Sequence, residues 1–219
     1  MSSHETSTLE ARPLLTGLVI GESPRWHEDR LWFANWGTEE IVAVDLEGNA
    51  EVVGKGSPGL GWSIDWLRDG RILVTGQGLI RREPDGSMVG HADLSGLGVN
   101  GFNEIVVDGR GNIYVNGGCD FEPGEGKPPG IIALVTRDGS VRRVADGIAF
   151  PNGMAVTPDC STLIIAELRR EADGVRHRRR RRPLSPARLG RRRWPGRDLR
   201  GRQGCDLDGC PGGSATTRR

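Results

Sequence analysis

Short apolar runs broken by turn signals recur along the first 167 residues, and none is long enough at helical period to form an amphipathic helix. Arg30-Leu-Trp-Phe-Ala34 follows a turn at Glu28-Asp29, and Ile41-Val-Ala-Val44 leads into Glu47-Gly48-Asn49. Arg71-Ile-Leu-Val-Thr75 follows Asp69-Gly70, and Leu79-Ile80 leads towards Asp85-Gly86. Asn112-Ile-Tyr-Val115 follows Asp108-Gly109, Ile131 to Val135 leads into Asp138-Gly139, and Ser161 to Ile165 follows Pro158-Asp159. Asp-Gly between apolar runs is a strong hairpin signal, because Gly accepts positive φ and Asp bonds the backbone just ahead of it.

The leading turns fall at Asp29, Asp69, Asp108 and Asp159, steps of 40, 39 and 51 residues, and a Gly/Pro-rich insertion from Gly117 to Gly130 accounts for the longest step. A repeat of about 40–45 residues with four strands is the blade of a β-propeller. A β-sandwich would also alternate strands and turns, but it does not demand paired turns at this period. The expected class is therefore all-β, with about three and a half blades. Propellers close with four to eight, so this count leaves a ring open.

Composition divides the chain at Glu167. Residues 168–219 hold 17 Arg, no Lys and five acidic residues, whereas residues 1–167 hold 13 basic and 24 acidic ones. The overall net charge of +1 conceals this split. The expected organisation is a flexible N-terminus over 1–14, a partial propeller over 15–167 and a disordered basic tail over 168–219, since low hydrophobicity with high charge cannot offset the entropy of ordering. The start, Met1-Ser-Ser-His-Glu-Thr-Ser7, lacks a basic-then-apolar leader, and no apolar stretch nears the roughly 20 residues of a membrane helix, which predicts a cytoplasmic protein with no membrane partner. Arg178 to Arg182 and Arg191 to Arg193 raise nucleic-acid binding, but Trp194 is the one aromatic of the tail and the acidic body would repel the same partner. Cys205 and Cys210 lack a second pair of metal ligands.

Channel-mouth sites in propellers draw one ligand from each of several blades. Glu22 in Gly21-Glu-Ser-Pro-Arg-Trp26, Asn103 in Gly101-Phe-Asn-Glu104 and Asn152 in Phe150-Pro-Asn-Gly-Met154 each sit just ahead of a blade's strands. A carboxylate with amide oxygens suits a hard cation. Any one of the three taken alone reads as a solvated turn residue.

Together these segments resemble the senescence-marker-protein/gluconolactonase (regucalcin-like) family of six-bladed propellers. The resemblance extends to Phe102 to Asp108 with Gly111 to Val115, and to Asp146 to Asp159, and it covers residues 15 to 167. It implies a metal-dependent lactone hydrolase acting on a small-molecule lactone. One divalent cation is implied, Ca²⁺ first, with Mg²⁺, Mn²⁺ or Zn²⁺ as alternatives. Glu22 and Asn152 correspond to metal ligands and Asn103 to a substrate contact. Gly101 and Glu104 stand where family members usually carry Arg and Asp. The family's remaining ligand and proton acceptor, an Asp in a Pro-Asp-Gly segment of the next blade, has no counterpart in frame. Asp120, after the third blade's strand, is set aside as a solitary loop acid. A phosphotriester hydrolase on the same fold and a non-catalytic binding module are the competing readings.

The tail itself suggests why that Asp is missing. Shifted by one nucleotide, the codons of Glu171 to Pro183 can spell Lys-Leu-Thr-Ala-Phe-Asp-Ile-Ala-Ala-Asp-Gly-Gly-Leu. Those of Pro195 to Gly209 can spell a stretch beginning Arg-Asp-Gly-Ile-Cys-Val-Asp. Alternating strands and Asp-Gly turns return, which predicts a frameshift between Glu167 and Glu171 and impaired activity in the chain as written.

Overall fold

The computed structural model describes residues 11–118, 129–171 and 174–183. Four antiparallel sheets follow one another along the chain. The first blade contains β1 Gly21–His27, β2 Arg30–Asn35, β3 Glu40–Val44 and β4 Ala50–Lys55. The second contains β5 Ile64–Trp66, β6 Ile72–Val74, β7 Leu79–Arg82 and β8 Met88–Ala92. The third contains β9 Phe102–Val107, β10 Ile113–Gly117, β11 Gly130–Val135 and β12 Val141–Ile148. The fourth has three strands, β13 Pro151–Val156, β14 Thr162–Glu171 and β15 Gly174–Pro183. Each sheet is a meander in sequence order, and the leading strands β1, β5, β9 and β13 stand side by side around a common axis. This is a partial β-propeller of three full blades and one three-stranded blade.

The turn chemistry explains the meander. Glu28 and Asp29 both adopt positive φ, 48° and 57°, closing the two-residue β1–β2 hairpin in the hand that matches strand twist. The other tight turns share one design. In Leu67 to Arg71 the N–H of Gly70 donates to the carbonyl of Leu67, that of Leu67 donates to Arg71, and Asp69 accepts the Arg71 N–H at 3.2 Å. Thr136 to Ser140 closes in the same way; in Asp108 to Asn112 the Asp stands first and accepts the Arg110 and Asn112 N–H groups, and Thr157 to Thr162 is one residue longer, with Asp159 accepting the Ser161 N–H.

Period-two alternation gives each blade two apolar faces, and the cores lie between blades. Trp32, Ala34, Ile41 and Ala43 of the first blade meet Trp62, Ile64, Ile72 and Val74 of the second. Leu73 and Leu79 meet Ile105, Ile113, Ile131 and Ala133 between the second and third. Tyr114, Ile132 and Leu134 meet Met154, Leu163 and Ile165 between the third and fourth. On the remaining face of the first blade Leu14 and Leu15 pack over Phe33, Val42 and Val44, so the ordered chain includes Leu14 from the segment expected to be flexible.

Strand β14 continues to Glu171, and β15 pairs with it from Glu171↔Gly174 to Thr162↔Pro183. Backbone hydrogen bonding needs no particular side chain, so an Arg-rich segment can complete an antiparallel ladder when a hairpin delivers it. The remainder of the basic tail, 184–219, lies outside the described residues, as does Asp120. No helix among the described residues is long and apolar enough to cross a membrane.

Candidate functional site

The candidate residues lie within the leading strands rather than in turns ahead of them: Glu22 in β1, Asn103 in β9 and Asn152 in β13. Leading strands flank the central axis, so polar side chains can project there while neighbouring positions face the interblade cores. A bulge between Glu22 and Arg25 places Ser23 at φ 52° and interrupts the alternation of β1. That irregularity is why the segment reads as a turn from sequence.

Asn103 and Asn152 meet: the Asn103 Nδ2 donates to the Asn152 Oδ1 at 3.4 Å. The Asn103 backbone carbonyl accepts from the Thr75 hydroxyl at 2.6 Å. Asn116, fully buried in β10, donates through its Nδ2 to the Asn152 carbonyl at 2.8 Å and accepts the Glu104 N–H at 3.0 Å. Residues of three blades thereby fix the backbone that carries the two amides. The Asn103 Oδ1 is buried and has no hydrogen-bond partner among the described residues, which marks it as an acceptor for a cation, a water or a substrate donor. Asn103 also lines a pocket of about 90 Å³ with Pro58, Leu60, Gln77, Gly101 and Phe150. There Gly117 is required by close approach, since a Cβ would lie 2.2 Å from the Gly101 carbonyl oxygen.

Beside the amides lies a buried acid that the sequence reading treated only as a substituted position. Glu104 accepts from the Ser23 hydroxyl at 2.7 Å, the Ser63 hydroxyl at 3.2 Å and the Arg25 guanidinium at 3.3 Å. Arg25 also donates to the Ile105 carbonyl at 2.8 Å. Glu104 thus ties the first, second and third blades together at the axis. Burial, and then the negative charge of Glu104, push the Glu22 carboxyl above its ordinary value. Burial likewise raises the Asp65 carboxyl, opposed by the charge of Arg25. Ser23, Ser63, Thr75 and Asn116 carry no recognisable motif, and their roles emerge only when blades are juxtaposed.

Glu167, fully buried at the end of the fourth blade opposite Pro151, accepts from the Ala149 N–H at 2.9 Å and from Arg180 of β15 at 2.6 Å. Among the described residues no group of three or more His, Cys, Asp and Glu side chains is placed to hold a metal ion. Glu22, Asn103 and Asn152 offer one carboxylate and two amide oxygens, hard donors of the kind Ca²⁺ takes; a hydrogen bond joins the two asparagines, while Glu22 is linked to the group through the charge of Glu104.

Three strands of comparison agree with this architecture. The model of the SMP-30/gluconolactonase/LRE-like region matches residues 20–178, and the chain belongs to that family. The pentonolactonase of Haloferax volcanii is 29% identical over 148 residues, covering 66% of this chain and 48% of that protein. Among solved structures, the calcium-binding protein regucalcin from Agrobacterium tumefaciens superposes with a TM-score of 0.54 at 23% identity, over 69% of this chain and 52% of its own. A gluconolactonase from Xanthomonas campestris gives 0.50 at 22% identity, over 73% of this chain and 61% of its own. The chain spans about half the length of the curated relative it matches, in keeping with a partial ring.

Proposed function

We propose that this chain derives from a metal-dependent hydrolase of small lactones, with Glu22 and Asn152 as cation ligands and Asn103 as the substrate contact. The observation that carries the reading is the Asn103–Asn152 pair, held from three blades beside a pocket, with a buried Asn103 Oδ1 left to accept. Family membership and the likeness to a pentonolactonase support the substrate class. The donor set fits a hard divalent cation, Ca²⁺ before Mg²⁺, Mn²⁺ or Zn²⁺. Such a cation would polarise an ester carbonyl and acidify a bound water.

The chain's own residues supply positioning. Asn103 presents an amide to a ring oxygen or hydroxyl, and the Thr75 and Asn116 bonds fix its backbone and its neighbour. Glu104 accepts from Ser23, Ser63 and Arg25, so it orders the site. The Asp that the resemblance calls for in a Pro-Asp-Gly segment of the following blade has no counterpart in frame, and the chain as written is expected to be strongly impaired. A one-base shift between Glu167 and Glu171 accounts for both the Arg-rich tail and the missing Asp. The test compares the 219-residue chain with the protein encoded after restoring the frame, using lactone ring opening with Ca²⁺ and then with chelator. Chelator-sensitive activity in the restored protein alone supports the reading. Equal activity in both removes the impairment, and hydrolysis of phosphotriesters alone would favour the competing activity on this fold.

A further inference from the structure

We infer that the site is shaped for a neutral lactone bearing an extended apolar substituent, with Gly101 at the passage between a ring pocket and a substituent groove. The inference rests on the lactone reading above and adds the substrate class to it. Two concavities meet at this place. The first is the pocket beside Asn103. The second is a groove of about 420 Å³ running between β7–β8 and the segment 93–101, walled by Leu79, Ile80, Ala92 and Val99. Gln77, Asn100, Gly101 and Phe102 line both, so the two adjoin at these residues.

Charge decides the class of ligand. Among the described residues no side chain lining the first pocket is charged. In the groove Asp93 is the one charged side chain of the lining, and it accepts the Ser95 N–H at 2.9 Å. A phosphate or carboxylate on the substrate would therefore enter without a cationic partner, at a large desolvation cost. A polyhydroxylated arm would need a partner for each hydroxyl it buried, whereas an alkyl arm lying along Ile80, Ala92 and Val99 would gain from apolar contact there.

Gly101 keeps the passage open. Its φ is +74°, and a Cβ built there would meet no atom within 4 Å, so the space next to it is unfilled. A long side chain at this position would occupy the junction of the two concavities. Gly90, on the exposed side of β8, lines the groove with equally free space around it, and a side chain there would fill the groove without touching the ring pocket.

The test is calorimetric titration of the full chain, in Ca²⁺ buffer, with δ-valerolactone, a δ-lactone bearing a pentyl chain, and gluconolactone. The pentyl lactone is expected to bind at least about tenfold more tightly than δ-valerolactone, the gain that roughly two buried methylenes provide. Gly90→Leu is expected to erase that gain, so that the two bind alike, and Gly101→Asn, which tolerates the left-handed backbone, is expected to reduce it. Equal affinity for the two in the unaltered chain, or tighter binding of gluconolactone, overturns the inference and leaves the lactone reading standing. A gain that survives both substitutions puts the alkyl chain elsewhere and also overturns it. Absence of binding by all three lactones, with the strand signal of circular dichroism intact, overturns the lactone reading and this inference with it.

Discussion

Glu104 is an acid in the protein interior that three blades need. It accepts from Ser23, Ser63 and Arg25, and the axis loses its tie when it is removed. Glu104→Ala is expected to cost about 3 kcal/mol in denaturant unfolding, the usual order for breaking a buried ion pair from one side, with Glu104→Gln costing less because it keeps an acceptor. Asp65 poses a different electrostatic problem. Its folded pKa is raised by burial, so the folded state holds the proton more tightly than the unfolded state. Its contribution to stability is fully present below the ordinary value of 3.8 and is lost as pH rises through the raised value. Asp65→Asn should therefore flatten the decline of stability that runs from pH 3.8 up through the raised value, measured as unfolding midpoints across pH. The lost acceptor for the Val107 or Trp66 N–H offsets the whole curve without changing this slope. At the β1–β2 hairpin, Glu28→Asn with Asp29→Gly replaces two strained residues by ones suited to positive φ and should raise stability by about 1 kcal/mol.

Among the elements, the middle strands were legible and the leading strands were not. Arg30 to Ala34, Ile131 to Val135 and Ser161 to Ile165 announce β2, β11 and β14 because they are continuous apolar runs next to Asp-containing turns. Strand β5 is only three residues long, and β1 contains a Pro and a bulge, so neither shows the alternation by which strands are recognised. Glu22, Asn103 and Asn152 could be singled out, yet their partners Ser63, Thr75 and Asn116 come from other blades, and pairing across blades leaves no mark at short range. Strand β15 is a further case: an Arg-rich segment contradicts strand patterning, and it is ordered by its hairpin with β14 and by the Arg180 bond to buried Glu167. Arg180→Ala removes a charge-assisted bond, and trypsin is expected to cleave within residues 174–183 about tenfold faster as β15 detaches more often. An unchanged cleavage rate would show that the ladder alone holds the strand.

For the whole molecule, the period of the Asp-bearing turns was enough to give the architecture, because a blade is both the unit of repetition and the unit of packing. Each core lies between consecutive blades, so stability is distributed along the ring, and Ile132→Ala in the core between the third and fourth blades should cost about 3 kcal/mol. The charge split at Glu167, with an acidic propeller ahead of an Arg-rich tail, points the same way as the half-length match to relatives: the N-terminal blades continue into sequence of another character. We propose that Glu22, Asn103 and Asn152 are the axial part of a lactone-hydrolysing site whose remaining carboxylate is hidden by the frame. Lactone ring opening in the frame-restored protein, with and without Glu22→Gln, tests this. Ca²⁺-dependent hydrolysis is expected, lowered by Glu22→Gln by at least about a hundredfold, the scale on which loss of a metal site's charge acts. A folded, frame-restored protein that opens no lactone, or one whose activity is unchanged by Glu22→Gln, would contradict it.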